Sequence, residues 1–143
     1  MNAGVTTLGW RERAALPRLG IDALRAKLDT GARSSALHVD AVEVFVRHEA
    51  TWLRFSADLG PRVGGILCEA PALGRRVVMD TGGGRSEVRL AGQGFEVEIG
   101  LVDRRHMRFP LLLGRTALFG RFRVDPALSY TWRPYTPAIM DMP

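Results

Sequence analysis

Apolar and polar positions alternate along most of this chain, and a period of two predicts strands. Residues 95–99, Phe-Glu-Val-Glu-Ile, alternate as a strand with one buried face does. Residues 42–47 (Val-Glu-Val-Phe-Val-Arg) and 52–57 (Trp-Leu-Arg-Phe-Ser-Ala) read as two strands joined by the polar turn His48-Glu49-Ala50-Thr51. Residues 75–79 and 86–90 flank Asp80-Thr81-Gly82-Gly83-Gly84, which predicts a hairpin with a glycine-rich tip. Residues 91–94 form the next turn, and Leu16-Pro17-Arg18-Leu19-Gly20 ends a first strand near residues 5–13. A short helix is expected over 114–120, closing at Gly120. Residues 21–26 fit a helix or a strand. Many short strands with closely spaced turns predict a mainly β fold, a small closed barrel or sandwich with one short helix. Residues 131–143 hold three prolines and no periodicity. They are expected to form an arm or a disordered end beyond one domain over residues 1–130.

Composition agrees with one folded domain. The chain has 143 residues, 46% hydrophobic and 24% charged, so it can bury a core and is not a disordered chain. No apolar run approaches the ~20 residues that span a bilayer, and no basic-then-apolar leader opens the sequence. A cytoplasmic protein without a membrane partner is therefore expected. The single cysteine, Cys68, excludes an internal disulfide and is expected to be buried and inert. The net charge of +5 is almost wholly arginine, since Lys27 is the only lysine. The arginines are dispersed as singles and pairs rather than clustered, which argues against nucleic acid. Guanidinium groups do match carboxylates, so an arginine-lined cleft for an acidic ligand fits the same composition.

Two segments carry candidate chemistry. In the first, Ala26-Lys27-Leu28-Asp29-Thr30-Gly31-Ala32, an apolar strand delivers a carboxylate into a tight glycine turn. In the second, Phe109-Pro110-Leu111-Leu112-Leu113-Gly114-Arg115, an apolar run enters a glycine just before the expected helix. Taken singly, each reads as a strand exit. In this order, with a glycine-tipped hairpin between them, they resemble the order of parts in a retropepsin-type aspartic protease.

The sequence resembles a bacterial retropepsin-like aspartic protease family that also carries the older name of ATP-dependent zinc proteases. The resemblance covers residues 8–130. It rests on Leu8-Gly9-Trp10-Arg11-Glu12 with Leu16-Pro17, on residues 26–38, and on Asp103-Arg104, Met107, residues 109–115 and Val124-Asp125. It implies an aspartic endopeptidase working as a homodimer, with catalytic Asp29, Thr30 and Gly31 from each chain. Two adjacent Asp29 carboxylates would share one proton and activate a water for peptide-bond hydrolysis. The Gly82, Gly83 and Gly84 tip would close over the substrate. Ala32, Arg33, Arg76, Asp80 and Arg115 are the further substrate-binding candidates. Asp80 opens a second Asp-Thr-Gly, but 51 residues after Asp29 it falls in the hairpin rather than in a second lobe. Members of the family often accompany ligases that add glutamate to proteins, so a glutamate-rich protein or peptide is the expected substrate. The alternative is an inactive peptide-binding or dimerisation module on the same fold.

No cofactor is expected. No nucleotide-binding Gly-x-x-x-x-Gly-Lys loop is present. A zinc site needs three or four suitably placed ligands, and His38, His48, His106 and Cys68 show no such spacing, so no metal is expected. His38 is read as a polar residue holding a loop by hydrogen bonds.

Overall fold

Strands dominate, as the alternation predicts. The computed structural model describes residues 5–61, 63–73, 76–79, 88–103 and 108–132. In chain order these form β1 (Thr6–Gly9), β2 (Arg11–Leu16), a 3-10 turn (Pro17–Leu19), β3 (Ile21–Leu28), β4 (Ser35–His38), β5 (Ala41–Arg47), β6 (Ala50–Asp58) and β7 (Gly65–Leu73). There follow β8 (Arg76–Met79), β9 (Val88–Leu90), β10 (Gln93–Phe95), β11 (Val97–Val102), β12 (Leu111–Leu113), the single-turn helix α1 (Arg115–Leu118) and β13 (Phe122–Asp125).

Local departures from the predicted elements have local causes. The expected first strand divides at Trp10, because β1 pairs in parallel with β13 while β2 runs antiparallel to β3. Residues 21–26 are strand, with Ile21, Leu24, Ala26 and Leu28 facing the core. The turn between β5 and β6 is tighter than its four polar residues suggest. His48 and Glu49 alone make it, with φ of 50° and 64°, and Ala50 and Thr51 belong to β6. That left-handed pair matches the twist of the flanking strands. Strand β7 escapes the pattern because Pro71 interrupts it, although Ile66, Cys68, Ala70 and Ala72 alternate onto the core side.

The expected closed barrel does not form. One sheet of eleven strands runs in the order β10-β9-β2-β3-β12-β4-β11-β8-β7-β6-β5, and β1 with β13 makes a separate pair. Among the described residues the end strands β10 and β5 do not pair with each other, so the sheet is a curled half-barrel. Closure would need two matching edges, and β10 offers three residues against the seven of β5. The expected glycine-tipped hairpin also meets a different topology at its base. Strand β8 pairs with β7 and β11, whereas β9 pairs with β2 and β10. Its tip, with Asp80, Gly82, Gly83 and Gly84, lies outside the described residues.

The core lies inside the curl. Leu111 and Leu113 of β12 are fully buried at its centre, between β3 in parallel register and β4 in antiparallel register. Leu112, on the opposite face, is half-buried, so the apolar run of β12 continues through all three positions. Past β13 the chain returns across β2, where Glu12 is a fully buried carboxylate. Glu12 Oε2 accepts from the Gly9 N–H at 2.7 Å, the Thr131 N–H at 3.0 Å and the Thr131 hydroxyl at 2.6 Å. Its Oε1 accepts from the Trp132 N–H at 3.2 Å. A buried carboxylate is tolerable when its lone pairs are filled in this way. On the outer face of β5–β7, Glu69 accepts from Arg47 at 2.7 Å and Arg54 at 2.8 Å. Those two hydrogen bonds hold the Glu69 carboxyl below its ordinary range.

Candidate functional site

Two parallel strands end side by side and define the site. Strands β3 and β12 pair Leu28 with Leu113, so the Asp29 turn and the Gly114 turn leave the sheet at the same edge. The Asp29 N–H donates to the Leu113 carbonyl at 2.8 Å, which carries the pairing one residue further. Asp29 Oδ1 then accepts from the Gly31 N–H at 2.9 Å, an Asx turn that aims the carboxylate. Its Oδ2 lies 3.9 Å from the Lys27 ammonium, a long contact between partly exposed groups that contributes little to stability.

The second turn locks the first. Gly114 lies so close to the loop after Gly31 that a Cβ there would stand 2.5 Å from the Ser34 carbonyl oxygen and 2.8 Å from that of Ala32. This approach lets the first N–H groups of α1 reach the loop. The Arg115 N–H donates to the Ala32 carbonyl at 2.7 Å, and Thr116 donates to the Arg33 carbonyl from its N–H at 3.2 Å and its hydroxyl at 3.0 Å. The buried Ser35 hydroxyl accepts from the Gly114 N–H at 3.1 Å. The Arg115 guanidinium donates to the Thr30 and Gly31 carbonyls at 3.2 and 3.0 Å.

The structure therefore brings Asp29, Thr30, Gly31, Ala32, Arg33 and Arg115 together. Arg115 acts first as a clamp on the loop. The loop is held by the Arg115 guanidinium through the Thr30 and Gly31 backbone carbonyls. Arg33 is exposed at the rim. Arg76 belongs to β8 at a different part of the sheet. Sequence reasoning passes over Lys27, Ser35 and Thr116 as site residues. The signal for Ser35 is faint: a serine followed by apolar residues after a glycine turn gives no hint of the backbone group it will meet 79 residues on.

Other candidates fall elsewhere. His38 Nε2 meets Asp40 Oδ1 at 3.0 Å, and Asp40 Oδ2 accepts from the Asp58 N–H at 2.8 Å, so His38 belongs to a loop brace. Cys68 is half-buried rather than buried, and desolvation pushes its thiol up from its ordinary value. Among the described residues no group of three or more His, Cys, Asp or Glu side chains is placed to hold a metal. Among them, too, no helix is long and apolar enough to cross a membrane.

The mainly β, curled half-barrel sheet is compatible with a retropepsin-like domain, and the comparisons with known proteins give the family. The chain belongs to the RimB-like family, described as the retropepsin-like aspartic endopeptidase RimB, whose model matches residues 7–134. A crystal structure of a Legionella pneumophila protein of unknown function superposes with a TM-score of 0.76 at 28% identity, covering 90% of this chain and 98% of that one. Curated relatives carry a different name. A protein of Desulfotalea psychrophila named "Probable alpha-L-glutamate ligase" is 30% identical over 132 residues, covering 85% of this chain and 28% of the relative. Proteins of the same name from Shewanella halifaxensis and Parasynechococcus marenigrum are 32% and 35% identical, each covering 86% of this chain and 29% and 28% of the relative. The chain thus spans under a third of the length of these curated relatives.

These names correct one expectation. The function read from sequence was that of a homodimeric aspartic endopeptidase, and the curated relatives are named for glutamate ligation, not for proteolysis. Both the family description and the relatives' names are those of enzymes.

Proposed function

We propose that this chain is the retropepsin-like enzyme unit of an α-L-glutamate-ligation system, and that it handles the glutamate-bearing protein chain at the Asp29 loop. The observation that carries this reading is coverage: an 85% stretch of the chain aligns within a longer protein named as an α-L-glutamate ligase. A unit joined to a ligase meets the ligase's acceptor and product at high effective concentration. Within the enzyme class, the aspartic type named by the family description is the finer reading, and Asp29 is the carboxylate suited to it. Thr30 and Gly31 shape its turn, and Ala32, Arg33 and Arg115 surround it. As partners we propose a glutamate-bearing protein and a second copy of this chain, and as its setting the cytoplasm, where a lone Cys68 stays reduced.

The test uses a synthetic peptide carrying an α-linked glutamate tail, incubated with the purified chain with and without an α-L-glutamate ligase. Mass spectrometry reads tail length with time. The proposal expects the chain to change the tail-length distribution and the Asp29→Asn variant to leave it unchanged. A distribution identical with and without the chain, in the presence and absence of ligase, refutes it.

A further inference from the structure

The outer face of the β2–β3 ladder carries four cationic side chains in two directly opposed pairs. Register sets Arg11 against Lys27 and Arg13 against Arg25. Neighbouring positions along each strand alternate into the core as Glu12, Ala26 and Leu28, so these four share the outward face. Like charges placed directly opposite on a sheet destabilise it. Among the described residues no carboxylate pairs with Arg11, Arg13 or Arg25, and the Lys27 ammonium has only Asp29 Oδ2, 3.9 Å away.

The arginines are nonetheless held in place. The Arg11 guanidinium lies 4.7 Å from the Trp10 ring centre and 5.2 Å from that of Tyr130, while Arg13 covers Tyr130 at 4.7 Å. Arg25 lies 5.6 Å from the Phe109 ring centre and donates to the Arg108 carbonyl at 3.3 Å. Stacking orients a guanidinium while leaving in-plane N–H groups for a ligand. Beside Arg13 and Arg25 opens a recess of about 320 Å³ lined by Leu59, Gly60, Pro61 and Pro110.

We propose that this face is the binding track for an extended acidic peptide that runs along β3 into the Asp29 loop. The proposal rests on the function proposed above and locates substrate recognition on residues outside the Asp29 and Gly114 turns. Same-face positions of a strand recur at about 7 Å. Alternate side chains of an extended acidic peptide recur at the same interval, so successive carboxylates meet Arg13 and Arg11, or Arg25 and Lys27, without strain. The carboxylates also relieve the cross-strand repulsion. A single-stranded nucleic acid would want open aromatic faces for its bases, and guanidinium groups already cover Trp10, Tyr130 and Phe109.

The test measures binding of fluorescein-labelled α-linked octaglutamate to the full chain by anisotropy at 50 and 200 mM salt. The Arg13→Gln/Arg25→Gln variant is expected to bind about tenfold more weakly with a shallower salt dependence, as fits the loss of two charge-assisted contacts. The charge-matched Arg18→Gln/Arg123→Gln control should bind as the parent does. Arg25→Glu places a carboxylate opposite Arg13, so it should lose binding while its thermal midpoint holds or rises, which separates loss of the track from loss of fold. Equal weakening in the control pair overturns the proposal, as does tighter binding of a fluorescein-labelled dT12 through the same two arginines. Binding that Asp29→Asn weakens but Arg13→Gln/Arg25→Gln leaves intact overturns the track while the proposed function stands. Failure of the parent chain to bind octaglutamate refutes both.

Discussion

Replacing Gly114 with alanine tests how tightly the two turns of the site are joined. Gly114 has φ of −93°, which alanine adopts freely, so the cost is steric. The new methyl group would stand 2.5 Å from the Ser34 carbonyl oxygen, 2.8 Å from that of Ala32 and 2.8 Å from the Arg33 carbonyl carbon. Ordinary contact begins at 3.4 Å, so the loop must retreat by 3.4 − 2.5 = 0.9 Å. All three obstacles are backbone, and none can swing aside as a side-chain tip would. A retreat of that size breaks or weakens the hydrogen bonds from the Arg115 and Thr116 N–H groups, 2.7 and 3.2 Å long in the parent. Overpacking costs about 1–3 kcal/mol, and two backbone hydrogen bonds add about 0.5–1.5 kcal/mol each. The expected total is about 2–6 kcal/mol, or a fall in Tm of about 6–20 °C for a domain of this size. Urea unfolding followed by tryptophan fluorescence and far-ultraviolet circular dichroism gives the difference, provided the m-value is unchanged. Gly120→Ala is the internal comparison: its site is open, and only its φ of 77° is unfavourable, a cost of about 1–2 kcal/mol. A Gly114→Ala loss below about 0.5 kcal/mol, or one smaller than that of Gly120→Ala, refutes the close-approach argument.

Two further outcomes are expected. Glu12→Ala leaves the buried Gly9 N–H and the part-buried N–H groups of Thr131 and Trp132 without their acceptor, so it should lose about 2 kcal/mol or more in urea unfolding and open residues 128–132 to limited proteolysis; a variant as stable and as protease-resistant as the parent contradicts the brace. For Glu69 the folded carboxyl titrates below its unfolded value, so its contribution is complete above the ordinary carboxylate range and is lost as pH falls through the lowered folded value. Parent and Glu69→Gln should differ in thermal midpoint at neutral pH and converge in acid, and a gap that stays constant with pH removes the Arg47–Glu69–Arg54 account.

The division between what is legible in the sequence and what is not follows the range of the forces involved. Strand content is local. Alternation in residues 42–47 and 52–57 and the turn residues between them place β5 and β6 within two residues of their ends. The two site motifs are visible only as a pair, because a carboxylate in a glycine turn and an apolar run into Gly114 each read singly as a strand exit and gain meaning from their order along the chain. Openness of the sheet is not visible, since it depends on whether β10 meets β5, and no local pattern encodes that encounter. The same holds for β8 and β9, whose adjacency in sequence suggests a hairpin while each finds other neighbours. Arg11, Arg13, Arg25 and Lys27 appear as alternating charges, yet only the β2–β3 register reveals that they oppose one another. Strand β7 is masked by Pro71, a residue whose bias against strands is overridden by pairing on both sides.

The long span between the two halves of the site also has a consequence in time. The guanidinium that clamps the Asp29 loop comes from a residue 85 positions after Thr30, and the strand that supports Asp29 from below is β12. During synthesis at about 5–20 residues per second, the Asp29 turn waits several seconds outside its final setting while the rest of the chain is made. Pairings of such long separation are also slow to close, because loop entropy must be lost before any contact compensates it. A nascent or truncated chain that stops short of Arg115 thus carries the Asp-Thr-Gly sequence without the geometry that makes it a site. Synthesis past Arg115 and assembly of the Asp29 loop become one event, so the turn acquires its final geometry only once both halves of the site are present.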